Sequence, residues 1–233
     1  MNGNGHRAIP AESALDAARR DMVARQLRGR EIRSERVLEA MAAVPRHLFV
    51  PASVVTQAYA DAPLPIGEGQ TISQPFMVAA MAEALLLEGR ERALEVGAGS
   101  GYQAAVLSLL AHEVIAVEAQ RALALQARLR LVRLGYLNVR VEEGDGSLGW
   151  PADAPYDAIV VTAAAPSVPP PLVEQLADGG RLVIPVGHAD KQELLRVVKR
   201  AGQTTQESLY ACRFVPLVGR YGFPLNNKDA PRG

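Results

Sequence analysis

The chain has 233 residues with 25 acidic and 25 basic side chains, so no net charge attracts it to nucleic acid or to an anionic membrane. The single cysteine, Cys212, excludes an internal disulfide, and the four scattered histidines lack metal-ligand spacing, so we expect no metal. Without an apolar run of the about 20 residues that a membrane span needs, the composition predicts one large domain of a cytoplasmic α/β protein.

The N-terminal part of the chain predicts a helical cover over residues 12–62, preceded by a flexible segment at 1–11. Apolar residues at three- and four-residue spacing indicate a helix over 12–28. Ser34 provides an N-cap for a second helix, which ends at the next proline. Residues 46–50 stand between two prolines, and we expect an extended segment there.

Residues 61–75 form a stretch whose shape is restricted by prolines and glycines, yet it carries a dense set of polar side chains. The set consists of Gln70, Thr71, Ser73 and Gln74. Pro75 suits the first position of a helix predicted at 76–87. The residues alone leave two interpretations open: Ser73 or Gln74 caps this helix, or the polar groups belong to a functional site.

A glycine-rich turn follows the apolar strand predicted at 93–96 and precedes a helical pattern. Tyr102 stands where a dinucleotide-binding fold would need its third glycine. One acid within the strand, then glycine at every second position, is instead the form found in S-adenosylmethionine (SAM) methyltransferases. The residues in question are Glu95, Gly97, Gly99 and Gly101. A carboxylate suits the ammonium of SAM, and free N–H groups at the helix start suit its carboxylate. A turn that needs its glycines only for packing is the alternative.

Two further acids follow predicted strands. Glu118 ends the strand at 113–118, near the about 20-residue offset at which an acid meets ribose hydroxyls, although it could be a solvated strand-end acid. Asp145, next to Gly146, follows the third strand, predicted at 138–143. It could accept from the adenine amino group or form an ordinary turn.

The remaining pattern completes the fold. Strands are predicted at 157–162 and 181–186, followed by an antiparallel pair at 193–198 and 208–215. Alternation of strands and helices predicts an α/β fold with a doubly wound, mostly parallel, Rossmann-like sheet. It carries an N-terminal helical extension and antiparallel C-terminal strands. We expect residues 12–218 to form a single SAM-dependent methyltransferase domain and 219–233 to form a tail.

Several stretches, in this order, resemble the protein-L-isoaspartate O-methyltransferase family. They lie at 45–50, 64–75, 94–102, 144–146, 156–159 and 214–217. The glycine turn is common to many methyltransferases, whereas Gly-Gln-Thr-Ile-Ser-Gln-Pro at 69–75 together with Arg-Phe-Val-Pro-Leu at 213–217 is much more specific. The resemblance implies methyl transfer from SAM to the free α-carboxylate of L-isoaspartyl residues in damaged proteins and peptides. The ester then closes to a succinimide, whose hydrolysis returns some normal aspartate.

The resemblance also implies roles for residues. Ser73 is the catalytic candidate, which orients the isoaspartyl carboxylate or the methyl-donor region. The cofactor-binding candidates are Gln70, Thr71, Glu95, Gly97, Gly99, Gly101, Glu118, Asp145 and Gly146. Val215, Pro216 and Leu217 are the substrate-binding candidates, and the stretch 46–50 is a further one. We expect isoaspartyl proteins and peptides as partners and a monomeric enzyme.

Three other classes remain open from the sequence. A SAM-dependent methyltransferase acting on a small molecule or RNA would share the strand, turn and helix. A silent SAM-binding protein would leave the polar loop at 70–74 idle. A nicotinamide-dependent oxidoreductase is disfavoured by Tyr102.

Overall fold

The computed structural model describes residues 11–188 and 191–224. The strands are β1 (Leu64–Gly67), β2 (Gln70–Ile72), β3 (Arg92–Val96), β4 (Glu113–Glu118), β5 (Val139–Glu143), β6 (Tyr156–Val161), β7 (Leu176–His188), β8 (Lys191–Arg200) and β9 (Gln203–Cys212). The helices are α1 (Glu12–Asp21), α2 (Glu35–Ala43), α3 (Pro75–Ala84), α4 (Tyr102–Ser108), α5 (Arg121–Arg133) and α6 (Pro170–Glu174). No helix in this part of the chain combines the length and apolarity needed to cross a bilayer.

Seven strands form one sheet in the order β5-β4-β3-β6-β7-β8-β9. The first five strands in this order are parallel, while β8 and β9 are antiparallel additions. This architecture confirms the predicted fold class. Because the chain runs outward from β3 to β5 and then returns to the other side of β3, the direction of winding reverses between β3 and β6. Open α/β sheets bind ligands beside the carboxyl ends of strands at such a reversal.

Alternate residues of the parallel strands enter separate apolar clusters. In β3, Ala93 belongs to the cluster that includes α2, α3, α4 and α5, whereas Leu94 and Val96 belong to the cluster that includes Leu172 of α6. Side chains of a strand point alternately to the two faces of its sheet, so both faces of β3 are buried. The strand is thereby held rigidly, and its carboxyl end provides a fixed base for the glycine turn.

The N-terminal helical cover differs from the prediction in one place. Ser34 caps α2 as predicted, since its side chain accepts from the Val37 amide. The extended segment predicted at 46–50 is wrong, because residues 46–49 form a 3₁₀ turn in which the Leu48 amide donates to the Pro45 carbonyl at 2.9 Å. A proline restricts the residue before it, and it leaves the residues after it free to turn.

The predicted antiparallel pair is confirmed, and β8 contains the strand predicted at 193–198, but the second strand is displaced. The last strand, β9, begins at Gln203 and ends at Cys212, whereas we expected it at 208–215. Most of the predicted segment 1–11 and of the tail 219–233 lies outside the described residues, and the domain limits of 12–218 stay a prediction.

A buried carboxylate organises the turn that leads into β3. Glu91 accepts from the amides of Glu88, Gly89 and Arg90 at 3.0, 2.8 and 3.0 Å. Burial raises the pKa of Glu91, but the backbone donors outweigh it, and the pKa lies below its ordinary value. The ionised carboxylate therefore stabilises the amino-terminal end of the central strand.

We predict that Glu91→Gln lowers the free energy of unfolding by about 2 kcal/mol, because an amide replaces a charged acceptor of backbone hydrogen bonds. A depressed pKa contributes stability that is present above the unfolded-state value of about 4.3 and is lost as pH falls through the folded value. Thermal melts at neutral pH and through the acid range measure the difference. Glu39→Gln, at an exposed position of α2, is the control. Equal melting temperatures for both variants at neutral pH would contradict the role of Glu91.

Candidate functional site

Three connected cavities lie at the carboxyl ends of β3, β4 and β6. The outer cleft, of about 800 Å³, has walls that include Ser73, Met77, Arg213 and Val215. The glycine pocket, of about 90 Å³, is lined by residues that include Gln70, Gly97, Glu118 and Gly146. The acid pocket, of about 40 Å³, is lined by residues that include Ser73, Glu95, Gly99 and Gln103. Thr71 and Thr162 line all three cavities, so the cavities meet between these two side chains.

The three glycines of the turn have two different roles. Two of them line the cavities, and the third packs against helix α5. Gly97 and Gly99 line both inner pockets, and Gly97 has a φ of 93°. A Cβ atom on Gly97 would stand 2.5 Å from Oγ1 of Thr162, so only glycine fits there. Gly101 has a φ of 85°, and a Cβ atom on it would lie 3.2 Å from Leu131 of α5. Gly101 therefore serves the packing of α5, and its direct contact with a cofactor stays a prediction.

Glu95 is a buried acid without a protein partner. The residue is fully buried, and neither carboxylate oxygen has a hydrogen-bond partner among the described residues. Burial, followed by the nearby Glu118 carboxylate, raises the pKa of Glu95 well above its ordinary value. Buried polar groups normally have partners, so this orphaned carboxylate at a small cavity fits a cationic ligand group. The ammonium of SAM is such a group, and the acid pocket fits the methionine end of that cofactor.

Glu118 has the opposite environment. Its two oxygens accept from the amides of Gly99 and Gln120 at 2.8 and 2.9 Å. The side chain is buried at the carboxyl end of β4 and lines the glycine pocket. Because each carboxylate oxygen has a second lone pair, an ionised Glu118 can also accept from a pair of neighbouring hydroxyls. The position therefore suits the ribose of a nucleoside.

Ser73 lies where the polar loop separates the outer cleft from the acid pocket. The α3 helix begins at Pro75 without a side-chain cap, so neither Ser73 nor Gln74 has the capping role that the sequence left open. The hairpin of β1 and β2 supports the loop, and Gln70 and Thr71 in β2 face the inner cavities. The polar side chains are therefore available to ligands.

The buried side chain of Arg46 holds the backbone of this loop by a hydrogen bond. Its Nη2 donates to the Ser73 carbonyl and its Nε to the Ala58 carbonyl, both at 2.7 Å. The guanidinium is fully buried, 4.8 Å from the ring centroid of Tyr102, and burial lowers its pKa. The expectation that this stretch holds a substrate peptide is wrong for Arg46, because a buried side chain bonded to two carbonyls cannot contact a peptide.

Asp145 and Gly146 occupy different environments although they are adjacent. The Asp145 carboxylate accepts from the Ser147 amide and hydroxyl at 2.9 and 2.7 Å and from the Arg220 amide at 2.8 Å. These bonds tie the turn to the C-terminal segment. Only Gly146 lines the glycine pocket, where a Cβ atom would stand 2.5 Å from Val96. A contact between Asp145 and adenine stays a prediction.

The segment 215–217 closes the glycine pocket. The Leu217 amide donates to the Ala164 carbonyl at 2.7 Å, and the Ala164 amide donates to the Val215 carbonyl at 2.8 Å. Val215, Pro216 and Leu217 all line the glycine pocket, and only Val215 also lines the outer cleft. A substrate contact is therefore best supported at Val215.

Sequence reasoning missed Thr162. Its hydroxyl donates to the Gly97 carbonyl at 2.6 Å, and it follows β6, directly across the reversal of winding from the glycine turn. Its place at the carboxyl end of the strand predicted at 157–162 was the available signal, since side chains at carboxyl ends of parallel strands meet at one edge of the sheet. Arg213 was also missed: it is exposed in the outer cleft and forms no ion pair within the described residues.

Comparison with known proteins places this arrangement in context. Residues 17–222 match the family model of protein-L-isoaspartate(D-aspartate) O-methyltransferase. The protein-L-isoaspartate O-methyltransferase of Geobacter metallireducens is 56% identical over 210 residues, 90% of this chain and 97% of that protein. A solved protein-L-isoaspartate O-methyltransferase is similar with a TM-score of 0.78 and 31% identity, covering 88% of this chain and 67% of that one. A Plasmodium falciparum structure, described as a protein-L-isoaspartate O-methyltransferase in complex with S-adenosyl-L-homocysteine, is similar with a TM-score of 0.75 and 27% identity. The match covers 86% of this chain and 98% of that one.

We predict that Glu95→Gln raises the Kd for SAM at least about tenfold, or about 1.4 kcal/mol, because the ammonium loses its counter-charge. The melting temperature of the free protein should be retained, since the replaced carboxylate has no partner to lose. Isothermal titration calorimetry and thermal melts provide the two measurements.

Glu118→Gln is the matched comparison for stability. It weakens bonds to two backbone amides and should lower the free energy of unfolding by about 1.5–3 kcal/mol. Unchanged SAM affinity in Glu95→Gln would contradict the assignment of the acid pocket.

Proposed function

We infer the activity of this chain from its family: it belongs to the protein-L-isoaspartate(D-aspartate) O-methyltransferase family. It transfers a methyl group from SAM to isoaspartyl residues of damaged proteins, and this esterification initiates their repair. The observation that carries the assignment is the junction at Thr71 and Thr162, where a pocket with an orphaned acid meets a large cleft. At this junction a donor in the acid pocket would adjoin an acceptor in the outer cleft.

The acceptor in this reaction needs no general base. The free α-carboxylate of an isoaspartyl residue has a pKa of about 4 and is ionised at neutral pH. Within the described part of the chain, no histidine or lysine lines the outer cleft. Cys212 does line it, but burial raises the pKa of its thiol to about 11, so the group stays protonated and unreactive. The protein's task is therefore to position the acceptor and to exclude water.

Bound SAM supplies an electrophilic methyl group on a sulfonium centre. We propose that Glu95, Gly97, Gly99, Glu118, Gly146, Gln70 and Thr71 hold it. Their support is that each lines the glycine pocket or the acid pocket. Gly101 and Asp145 act on the cofactor through the shape of the turns that they hold.

We propose that the Ser73 hydroxyl donates a hydrogen bond to the isoaspartyl carboxylate. Ser73 borders both the outer cleft and the acid pocket, and its hydroxyl has no hydrogen-bond partner among the described residues. Arg46 fixes the backbone beneath this hydroxyl. In-line attack requires the reacting atoms within about 3–3.5 Å, so a rigid loop contributes through orientation.

Once formed, the ester reacts without the enzyme. The neighbouring backbone amide nitrogen attacks the ester carbonyl, methanol leaves, and a succinimide forms. Hydrolysis of that ring returns some normal aspartate. The enzyme's contribution ends at the ester, which agrees with a site that provides positioning groups but no nucleophile.

We propose that the chain acts as a monomer in the cytoplasm, without a nucleic-acid or membrane partner. The equal numbers of acidic and basic residues and the single cysteine support this. The polar loop between the cavities disfavours a SAM-binding protein without activity.

The activity is tested with matched peptides that differ only in carrying isoaspartate or aspartate at one position. With labelled SAM we expect base-labile label on the isoaspartyl peptide alone, because only this residue presents a free α-carboxylate beside the junction. Equal labelling of both peptides, or label stable to base, would contradict the proposed function.

Ser73→Ala should lower kcat by about 10–100-fold while the Kd for SAM changes little, because the hydroxyl positions the acceptor rather than the donor. Ser73→Thr, which retains a hydroxyl, should keep more activity than Ser73→Ala. Single-turnover rates and calorimetry separate the two effects. A kcat that survives the loss of the hydroxyl would remove Ser73 from the mechanism.

A further inference from the structure

A further cavity, beside α3 and β9, adjoins the outer cleft. Its volume is about 440 Å³, and it shares Gln74, Met77 and Ala211 with the outer cleft. The rest of its lining consists of Gly29, Arg30, Glu31, Phe76 and Tyr210. None of these residues lines the glycine pocket or the acid pocket. The cavity is therefore continuous with the acceptor side of the site and separate from the donor side. We call it the flanking cavity.

The walls of the flanking cavity combine aromatic and apolar side chains with charged and polar ones. Phe76 and Tyr210 pack edge to face, with ring centroids 5.6 Å apart and an interplanar angle of 81°. The Arg30 guanidinium lies 4.1 Å from the Phe76 ring centroid and pairs with Asp61 at 2.5 Å. Its charge is thus already compensated, and it extends the flat surface of the rings. Met77 adds an adaptable apolar side chain.

Glu31 is the acidic residue in this lining. It is exposed and takes part in no ion pair within the described part of the chain. A negative charge at the rim repels an acidic ligand side chain, whereas an apolar one makes contact with the rings and Met77. The lining therefore favours an apolar ligand side chain over an acidic one.

We propose that the flanking cavity binds an apolar, above all aromatic, side chain of a residue that flanks the isoaspartate in the substrate. The inference rests on the proposed function, because it takes the isoaspartyl carboxylate to lie at Ser73. Gln74 and Met77 follow Ser73 in the chain and border both cavities. Because the two cavities share three lining residues, a residue that flanks the isoaspartate adjoins the flanking cavity when the carboxylate lies at Ser73. The enzyme then ranks damaged sites by their surroundings.

The test uses isoaspartyl peptides with alanine, phenylalanine or glutamate at one flanking position, varied on each side in turn. For one side we expect kcat/KM to be about tenfold higher with phenylalanine than with alanine, and lower with glutamate than with alanine. The readout is the ratio of kcat/KM for the phenylalanine peptide to kcat/KM for the alanine peptide, measured with one enzyme variant. A general change in activity cancels in this ratio.

Gly29 offers a matched pair of variants. A Cβ atom on Gly29 meets only the Ala24 carbonyl oxygen, at 3.5 Å, and its backbone does not require glycine. Gly29→Trp fills the flanking cavity and should bring the ratio close to one. Gly29→Ser introduces a side chain without filling the space and should keep the wild-type ratio. Tyr210→Ala removes one wall and should also lower the ratio, which gives a second test if Gly29→Trp is poorly folded.

The outcomes separate the two proposals. Methylation of all isoaspartyl peptides at equal kcat/KM, or a phenylalanine preference that survives both Gly29→Trp and Tyr210→Ala, overturns the subsite and leaves the activity intact. Failure to methylate any isoaspartyl peptide overturns the activity, and the subsite with it.

Discussion

The hydrogen bond from the Thr162 hydroxyl to the Gly97 carbonyl, at 2.6 Å, joins the two halves of the sheet at the point where the winding reverses. A Cβ atom on Gly97 would clash with that hydroxyl at 2.5 Å, so Thr162 requires glycine at this position. Their contact forms the floor on which the inner pockets meet the outer cleft. The rest of the site depends on this floor, because the polar loop and the segment 215–217 close over it.

Two neighbouring acids illustrate how the same side chain serves different purposes. Glu118 is held by two backbone amides before any ligand arrives, so its orientation requires no rearrangement on binding. Glu95 has no such support, and burial with Glu118 nearby keeps its pKa high. A cationic ligand group would give Glu95 the hydrogen-bond partner that it lacks among the described residues. In the proposed site, binding of SAM relieves the unfavourable burial of Glu95, while Glu118 keeps its orientation without the ligand.

Local patterns predicted much of this arrangement, since strand β4, the cap at Ser34 and the glycine turn follow from residues adjacent in the sequence. Contacts between distant residues did not. The bond from Arg46 to the Ser73 carbonyl joins residues 27 apart, and no local pattern predicts it. Asp145 was interpreted through the family pattern, whereas its carboxylate ties down the amides of Ser147 and Arg220. Periodicity records which face of an element is buried, but not which distant carbonyl a buried donor meets.

Charge is divided between the two sides of the junction in the way the reaction requires. Among the described residues, the inner pockets are lined by two acids, Glu95 and Glu118, and no base, whereas the outer cleft is lined by Arg213 and no acid. A cationic donor is therefore favoured on one side and an anionic acceptor on the other. Because methyl transfer from a sulfonium to a carboxylate neutralises both charges, a site that positions them and excludes water favours the transfer over the separated ions.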